Sequence, residues 1–139
     1  KTRAFLKIED GCNNFCSYCI IPYTRGPIRS KPYQDVINEI NKIVENGYKE
    51  VVLTGIHTGK YNDNGVDFTA LVKMILNETK LLRLRISSIE LNEITDDFLY
   101  LLKTNKVVAE HLHLPLQAGS NHVLKMMNRH YSREEFIKK

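Results

Sequence analysis

Three cysteines close together give this sequence its clearest capacity for chemistry. Cys12, Cys16 and Cys19 are all the cysteines of the 139-residue chain. Thiolates bind metals, and a short loop eased by Gly11 and the small Ser17 can bring three of them to one inorganic centre. Four thiolates would fill a tetrahedral zinc site or an iron–sulfur cluster, whereas three leave one metal position without a protein ligand.

Clustered thiols can also serve simpler roles. Isolated buried cysteines act as small apolar residues, but that role does not explain why all three fall within residues 12–19. A disulfide would leave one thiol unpaired, and residues 1–7 carry no secretory signal. Zinc would need a fourth ligand, and the pair His111 and His113 lies about ninety residues away. A zinc-stabilised module that binds RNA stays open as an alternative.

Composition limits the possible classes of protein. The chain is 42% hydrophobic, which suffices for one compact core or part of one. Its net charge is +4, which suits a polyanionic partner. No stretch reaches eighteen consecutive apolar residues, so we expect a protein with no membrane partner and a cytoplasmic location.

Hydrophobic spacing predicts alternating strands and helices. Strands are expected over residues 3–8, 50–55, 82–87 and 111–114. Helices are expected over residues 30–47 and 67–76, and after Thr95, Ser120 and Ser132. Met126 and Met127, on the fourth helix, are expected to fill the core. This order predicts parallel strands joined by helical crossovers.

Polar residues follow each predicted strand, which bears on the architecture. They are the cysteines, then Thr54, Gly55 and His57, then Ser87, Ser88 and Glu90, and finally Gln117, Gly119 and Ser120. Periodicity alone fits a doubly wound sheet or a (β/α) barrel, but chemistry at one end of every strand favours the barrel. Four or so parallel strands cannot close it. We therefore expect an α/β fold that is a partial (β/α) TIM-like barrel, truncated at its C-terminus.

The cysteine spacing resembles that of the radical S-adenosylmethionine superfamily. The spacing here is Cys12-x3-Cys16-x2-Cys19, and it follows a first predicted strand. The resemblance implies that the three thiolates hold a [4Fe-4S] cluster. It further implies that the fourth iron binds S-adenosylmethionine. One electron then cleaves this cofactor to methionine and a 5′-deoxyadenosyl radical.

Longer stretches resemble the methylthiotransferase family. They are residues 10–26, 83–90 and 113–120, and residues 53–59 are most similar to the branch acting on N6-threonylcarbamoyladenosine in tRNA. The resemblance implies 2-methylthiolation of this nucleoside at tRNA position 37, with tRNA, S-adenosylmethionine and an electron donor protein as partners. A ribosomal protein and isopentenyladenosine in tRNA are alternative substrates.

The family resemblance also implies a domain organisation. Residues 1–139 correspond to a central radical S-adenosylmethionine core, while an N-terminal methylthiotransferase domain and a C-terminal RNA-binding domain lie outside it. We therefore expect this chain alone to bind one cluster and S-adenosylmethionine, and not to complete methylthiolation.

Individual site residues follow from the same resemblance. It implies cofactor contacts at Gly55, at Ser87, Ser88 and Glu90, and at Gln117. Leu91 stands where the family usually has proline. Ser120 is expected to be an ordinary helix cap.

Several other polar residues have competing interpretations. His57 is expected to be a solvated loop residue, and His111 with His113 to fill one face of a strand. Tyr23, Arg25, Arg29 and Lys31 form a basic, aromatic stretch that suits a phosphate or a stacked base, or plain surface.

Overall fold

A computed structural model describes residues 2–139, with strands and helices interspersed as far as residue 86 and three successive α-helices after it. The strands are β1 (Arg3–Lys7), β2 (Glu9–Asp10), β3 (Arg29–Ser30), β4 (Glu50–Thr54), β5 (Asn62–Asp63), β6 (Val66–Asp67) and β7 (Arg83–Ile86). The helices are α1 (Ile21–Arg25), α2 (Tyr33–Glu45), α3 (Phe68–Glu78), α4 (Asp96–Thr104), α5 (Asn121–Met126) and α6 (Arg133–Lys138).

The central sheet has three parallel strands in the order β1-β4-β7. Leu6, Leu53 and Ile86 lie side by side in its register and are buried. They share one apolar core with Ile40 of α2 and Leu71 of α3. The predicted α/β fold with parallel strands is therefore confirmed, with α2 and α3 covering one face of the sheet.

The opposite face of the sheet carries exposed and charged side chains. Arg3, Phe5 and Lys7 alternate with the buried residues of β1, and Phe5 is 70% exposed. Because side chains alternate across a strand, these three residues lie on the face that the helices do not cover. A barrel sheet likewise has one face toward the helices and one toward the barrel interior.

A buried glutamate organises the amino end of this open face. Glu50 accepts hydrogen bonds from Arg3 Nε at 2.7 Å and Arg85 Nε at 2.9 Å, and Arg83 lies 4.0 Å away. Burial raises the pKa of Glu50, but the hydrogen bonds from Arg85 and Arg3 outweigh it and hold this pKa below its usual value. The negative charge of Glu50 therefore lies close to the positive charges of three arginines and reduces the repulsion between them.

Replacing Glu50 with glutamine is expected to change how stability depends on acid. A carboxyl group with a lowered folded pKa stabilises the fold above its unfolded pKa near 4.5, and this contribution disappears as pH falls through the folded pKa. Denaturation midpoints measured from neutral to acidic pH should show a shallower acid decline for E50Q. The exposed Glu78 offers a matched control, because E78Q should leave that decline unchanged. Equal profiles for E50Q and the unmodified protein would contradict this prediction.

The predicted fourth strand at residues 111–114 is wrong. The chain instead pairs with β7 at one parallel bridge, Leu84 with Val108. The His111 N–H then donates to the Ala109 carbonyl at 2.7 Å, which bends the backbone out of the extended form a strand needs. His111 and His113 are exposed, so they fill no packed face.

The helices of the second half match their predicted starts. The side chains of Thr95 and Ser132 accept the expected N-cap hydrogen bonds, and Ser132 forms a complete capping box with Glu135. Ser120 stands at the N-cap of α5, but its side chain makes no cap hydrogen bond. Met126 is 67% exposed, so its prediction as core filler is wrong, because it lies on the outer side of a short helix.

A second, smaller core lies beneath the last two helices. It contains Leu91, Leu124 and Tyr131, with Phe136 packed against them. The Tyr131 hydroxyl lies 2.8 Å from the carbonyl oxygens of Pro115 and Leu116 and can donate to either. This small core fixes the segment that follows α5 against the rest of the fold. None of the helices described for residues 2–139 combines the length and the apolar composition that a membrane span requires.

Candidate active site

The cysteine loop begins where β2 ends, and a glycine permits its first turn. Gly11 has φ +92°, a conformation that side chains with a Cβ rarely adopt. A Cβ atom at this position would lie 2.1 Å from the Pro27 carbonyl oxygen. The two-residue pairing of β2 with β3 and the Cys12 N–H bond to the Gly26 carbonyl, at 3.1 Å, close the base of the loop.

Residues 126–129 hold the far side of the same loop. Ser17 donates its backbone N–H to the Met127 carbonyl at 3.1 Å and its hydroxyl to the Met126 carbonyl at 2.8 Å. The Asn128 amide donates to the Phe15 carbonyl at 3.0 Å. The end of α5 therefore fixes the loop that carries the thiols.

The three cysteines are free and half-buried. Cys12 Sγ lies 3.6 Å from His57 Nδ1 and accepts the Asn14 N–H at 3.4 Å. Burial raises the pKa of the Cys12 thiol, and the neighbouring Cys16 and Cys19 raise it further, while the Asn14 N–H opposes them. Within residues 2–139, no three His, Cys, Asp or Glu side chains are arranged to hold a single metal ion.

An arginine joins Cys16 to a glutamate predicted to bind cofactor. Arg129 Nη1 donates to Cys16 Sγ at 3.3 Å, and its Nη2 contacts the Glu90 carboxylate. The guanidinium also lies over the ring of Tyr131, 5.1 Å from its centroid. Burial lowers the pKa of Arg129, but its bond to Cys16 and the Glu90 charge raise it overall, so a fixed cation stands beside this sulfur.

A buried histidine lies next to the first cysteine, contrary to the expectation of a solvated loop residue. His57 is 4% exposed. Its Nε2 contacts the Glu93 carboxylate and lies 3.4 Å from the Asn14 side-chain amide nitrogen. Its backbone N–H donates to Glu9 Oε2 at 2.7 Å. Burial raises the pKa of Glu9, while the bonds from the His57 and Ile56 amides lower it. The Glu9 carboxylate accepts hydrogen bonds from the backbone of the turn after β4. This fixed turn places the His57 side chain in the interior.

These groups enclose a polar cavity of about 170 Å³ beside the cysteine loop. Its lining includes six charged or polar side chains, those of Asn14, His57, Glu90, Glu93, Asn128 and Arg129. A cavity with convergent polar groups next to free thiols is suited to a small polar ligand.

The structure brings only part of the predicted set of cofactor-binding residues to this cavity. Glu90 lines it, whereas Gly55, Ser87, Ser88 and Gln117 do not. Gly55 has a local reason to be glycine, because a Cβ there would lie 2.7 Å from Glu9 Oε2. Ser87 and Ser88 are half-buried after β7, and Gln117 is exposed with φ +64°. Arg129 thus brings the cysteine loop and Glu90 together, whereas Gln117 of the fourth loop does not reach the cavity.

Sequence reasoning missed Arg129 and Glu93, which line this cavity, and Glu9, which holds the backbone of His57. Arg129, Glu93 and Glu9 act through partners that lie at least 36 residues away along the chain. Glu93 forms a capping box at the turn Leu91–Glu93, and its spacing from Glu90 could have revealed that turn. Arg129 carries no local signal, because only the folded chain brings it to Cys16.

Replacing Arg129 with glutamine is expected to lower the free energy of unfolding by about 3 kcal/mol, because it breaks a largely buried ion pair and leaves Glu90 without its partner. The Arg129 side chain is only 5% exposed. Chemical denaturation measures this loss.

The matched control for this change is R133Q. Arg133 is 56% exposed and pairs with Glu134 at the surface, so its loss should be below about 1 kcal/mol. Similar losses of unfolding free energy in R129Q and R133Q would show that the Arg129–Glu90 ion pair contributes no more to stability than a surface pair.

A sequence profile described as the radical SAM superfamily matches residues 6–139. The chain belongs to the radical SAM superfamily. This membership confirms the predicted family and implies that a [4Fe-4S] cluster and S-adenosylmethionine are the cofactors of the fold.

Curated relatives of this radical SAM domain carry more specific names. The chain is 47% identical over 139 residues to the threonylcarbamoyladenosine tRNA methylthiotransferase MtaB of Bacillus subtilis strain 168, covering 98% of this chain and 31% of that protein. It is 42% identical over 137 residues to a tRNA-2-methylthio-N(6)-dimethylallyladenosine synthase of Thermodesulfovibrio yellowstonii, covering 99% of this chain and 32% of that protein. The chain therefore spans about a third of the length of these relatives.

Solved radical enzymes share the fold of this domain. The radical S-adenosylmethionine methyltransferase TsrM from Kitasatospora setae, solved with cobalamin and a [4Fe-4S] cluster, has a TM-score of 0.73. Its sequence identity is 14%, and the match covers 95% of this chain and 27% of that one. The apo form of the cobalamin-dependent radical enzyme OxsB has a TM-score of 0.70 at 16% identity, covering 96% of this chain and 21% of that one. These likenesses confirm the fold.

The donor set on the cysteine loop fits an iron–sulfur cluster. Three thiols without disulfides supply the soft ligands that iron–sulfur clusters take. Each cluster iron takes its own thiolate, so the three sulfurs need not meet at one ion. Arg129 beside Cys16 supplies an N–H donor to sulfur, of the kind that tunes such clusters.

Proposed function

We propose that this chain is the catalytic core of a tRNA methylthiotransferase, with Cys12, Cys16 and Cys19 as the ligands of one [4Fe-4S] cluster. The observation that carries the proposal is the set of three free thiols on one pinned loop beside a polar cavity. A cluster bound there would supply the electron for reductive cleavage of S-adenosylmethionine.

The chain's own residues have distinct tasks in this proposal. Arg129 donates a hydrogen bond to Cys16 Sγ and so holds this sulfur in place beside a positive charge. His57 Nδ1 and the Asn14 N–H contact Cys12 Sγ and restrict the position of this second sulfur. Glu90, Glu93 and Asn128 offer carboxylate and amide groups to a polar cofactor in the cavity. Gly55, Ser87, Ser88 and Gln117 remain proposed cofactor contacts on the loops around it.

The proposed substrate is an adenosine of tRNA beside the anticodon. The names of the relatives support tRNA as the partner and methylthiolation as the reaction. The 47% identity to a protein named for threonylcarbamoyladenosine favours that nucleoside over dimethylallyladenosine. We also propose that an electron donor protein is a partner and that the enzyme acts in the cytoplasm. The proposed full-length protein has further domains before and after residues 1–139.

Anaerobic reconstitution with iron and sulfide tests the cofactor part of this proposal. We expect about four irons per chain and the optical spectrum of a [4Fe-4S] cluster. After one-electron reduction with dithionite we expect a spin-resonance signal that changes when S-adenosylmethionine is added. Uptake of stoichiometric zinc, with no spectral response to S-adenosylmethionine, would instead support the zinc-stabilised module.

Nucleoside analysis of tRNA tests the substrate part. Cells that lack the gene should lose 2-methylthio-N6-threonylcarbamoyladenosine from their tRNA, and the restored gene should return it. Loss of the methylthiolated dimethylallyl nucleoside, or of a modification on a ribosomal protein, would assign the enzyme to another branch.

A further inference from the structure

Three cations surround one carboxylate at the carboxyl end of β1. Lys7 Nζ lies 3.1 Å, Arg25 Nη1 3.5 Å and Arg29 Nη2 4.0 Å from Asp10 Oδ2. All three cationic side chains are more than half exposed, at 62%, 54% and 56%. Three positive charges against one negative charge leave an excess of two, so this basic cluster can bind further anions.

Hydrogen bonds to the backbone hold the basic cluster in place. Arg29 Nη1 donates to the Arg25 carbonyl at 2.8 Å and to the Pro27 carbonyl at 3.2 Å, which leaves the Nη2 edge toward Asp10. The Gly11 N–H donates to Asp10 Oδ1 at 2.9 Å. Ordering these groups before an anion arrives lowers the entropic cost of binding it.

A small cavity of about 110 Å³ lies against this cluster. Lys7, Asp10, Arg29 and Lys31 line it, and Lys31 is itself paired with Glu39 at 2.6 Å. The other carboxylate in its wall, that of Glu9, turns its Oε2 toward the Ile56 and His57 amides. The cavity is several times larger than the roughly 10–15 Å³ that one water needs, so a phosphate group can be accommodated there.

Two exposed aromatic rings lie in segments that adjoin the basic cluster along the chain. Phe15 and Tyr23 form an edge-to-face pair with centroids 5.7 Å apart, and they are 51% and 73% exposed. Phe15 belongs to the cysteine loop, and Tyr23 lies in α1 with Arg25. Exposed rings next to arginines are the combination that binds unpaired nucleotides, because bases stack on the rings while phosphates meet the cations.

We propose that Lys7, Arg25 and Arg29 bind phosphates of the RNA substrate, and that the Phe15–Tyr23 pair stacks on one of its unpaired bases. This inference rests on the proposed function, which makes RNA the partner. The site lies beside the loop that carries the three cysteines, so RNA held here has its unpaired nucleotides next to the proposed cluster. A protein partner would need no stacking surface for a base.

Equilibrium binding of a fluorescent RNA stem–loop with an unpaired adenosine in its loop tests the phosphate site. Changing Arg25 and Arg29 together to glutamine should weaken binding about tenfold at moderate salt. It should also reduce the slope of log affinity against log salt by about 1.4, because each phosphate that no longer meets a cation lowers this slope by about 0.7. The matched control changes Arg3 and Arg83, two exposed arginines that also flank a glutamate at the opposite end of the strands.

The control pair should leave both affinity and salt slope unchanged. Equal weakening by the two double variants, or an unchanged slope for R25Q/R29Q, would overturn the phosphate site. Circular dichroism of each variant separates weaker binding from a failure to fold.

The aromatic pair has a separate signature. Tyr23→Ala should weaken RNA binding about tenfold with no change in salt slope, and Tyr23→Phe should retain the affinity. Tyr100 is similarly exposed in α4, so Y100A serves as the control. Full affinity in Y23A, or equal competition by an acidic peptide, would show a plain anion surface or a protein partner and overturn the proposal.

RNA binding and turnover are measured independently. Failure of the proposed function appears as the absence of a cluster or of a response to S-adenosylmethionine in the unmodified protein. Failure of this inference appears as RNA binding that is absent, or indifferent to these substitutions, in protein that holds its cluster.

Discussion

Replacing any one of Cys12, Cys16 and Cys19 with serine is expected to abolish stable binding of the [4Fe-4S] cluster. A serine hydroxyl stays protonated at neutral pH and is a poor ligand for iron, so one cluster iron would lose its protein bond. Iron and sulfide content after anaerobic reconstitution and desalting should fall from about four of each per chain to near zero. Cleavage of S-adenosylmethionine should become undetectable in all three variants.

The matched control for these variants lies in the same loop. Ser17→Ala removes the hydroxyl bond to the Met126 carbonyl, at 2.8 Å, and leaves every thiol in place. We expect it to cost about 1 kcal/mol of stability and to retain the cluster. A single cysteine variant with full iron content would show that the cluster has other ligands.

Replacing Gly11 with alanine is expected to have the largest effect on folding. The left-handed backbone costs about 1–2 kcal/mol for a residue with a Cβ. The added methyl would also meet the Pro27 carbonyl oxygen at 2.1 Å and the Gly26 carbonyl oxygen at 2.8 Å, and backbone atoms cannot move aside cheaply. Crowding of this kind costs about 1–3 kcal/mol more. The free energy of unfolding measured by denaturant titration should fall by the sum of these two costs.

Gly47 provides a control that separates the two costs. It has φ +84°, close to that of Gly11, but a Cβ there would meet no atom within 4 Å. G47A should therefore lose only the conformational part, and the difference from G11A isolates the contact with residues 26 and 27. Iron uptake should fall in G11A alone, because only that change moves the cysteine loop. Equal losses in the two variants would contradict this account.

Local signals were sufficient to predict the helices and strands near the sheet. Asp67 caps α3 through the Ala70 N–H at 2.8 Å, as expected for a short polar side chain before an apolar stripe. The β-branched run at β4 is buried along most of its length. Elements whose own sequence contains both their cap and their buried face need no information from elsewhere in the chain.

Short pairings were missed for the opposite reason. β5 and β6 have two residues each, so they show no alternation. Asn64 and Gly65 between them both have positive φ, at 51° and 89°, and Asn-Gly is the strongest sequence signal for such a hairpin. That signal was available in the sequence, unlike the bend at His111 that ends the expected fourth strand.

The sequence predicted the loop that carries the cysteines but not the groups that position this loop. Cysteine spacing identifies the loop, because three like residues fall within one stretch. The groups that position it come from distant segments: His57 is 45 residues from Cys12, and Arg129 is 113 residues from Cys16. Such contacts depend on packing of the whole sheet and its helices, which no local pattern contains.

The long-range anchoring of the cysteine loop has a consequence for how the protein is made. The Asn128 bond to Phe15 spans 113 residues, and the Ser17 hydroxyl bond to Met126 spans 109. At roughly 5–20 residues per second on the ribosome, the thiols emerge about 5–20 s before the segment that fixes them. During that interval the loop has no partner for these bonds. The ligands of the proposed metal centre are thus synthesised well before residues 126–129, and their final arrangement waits until that segment has emerged.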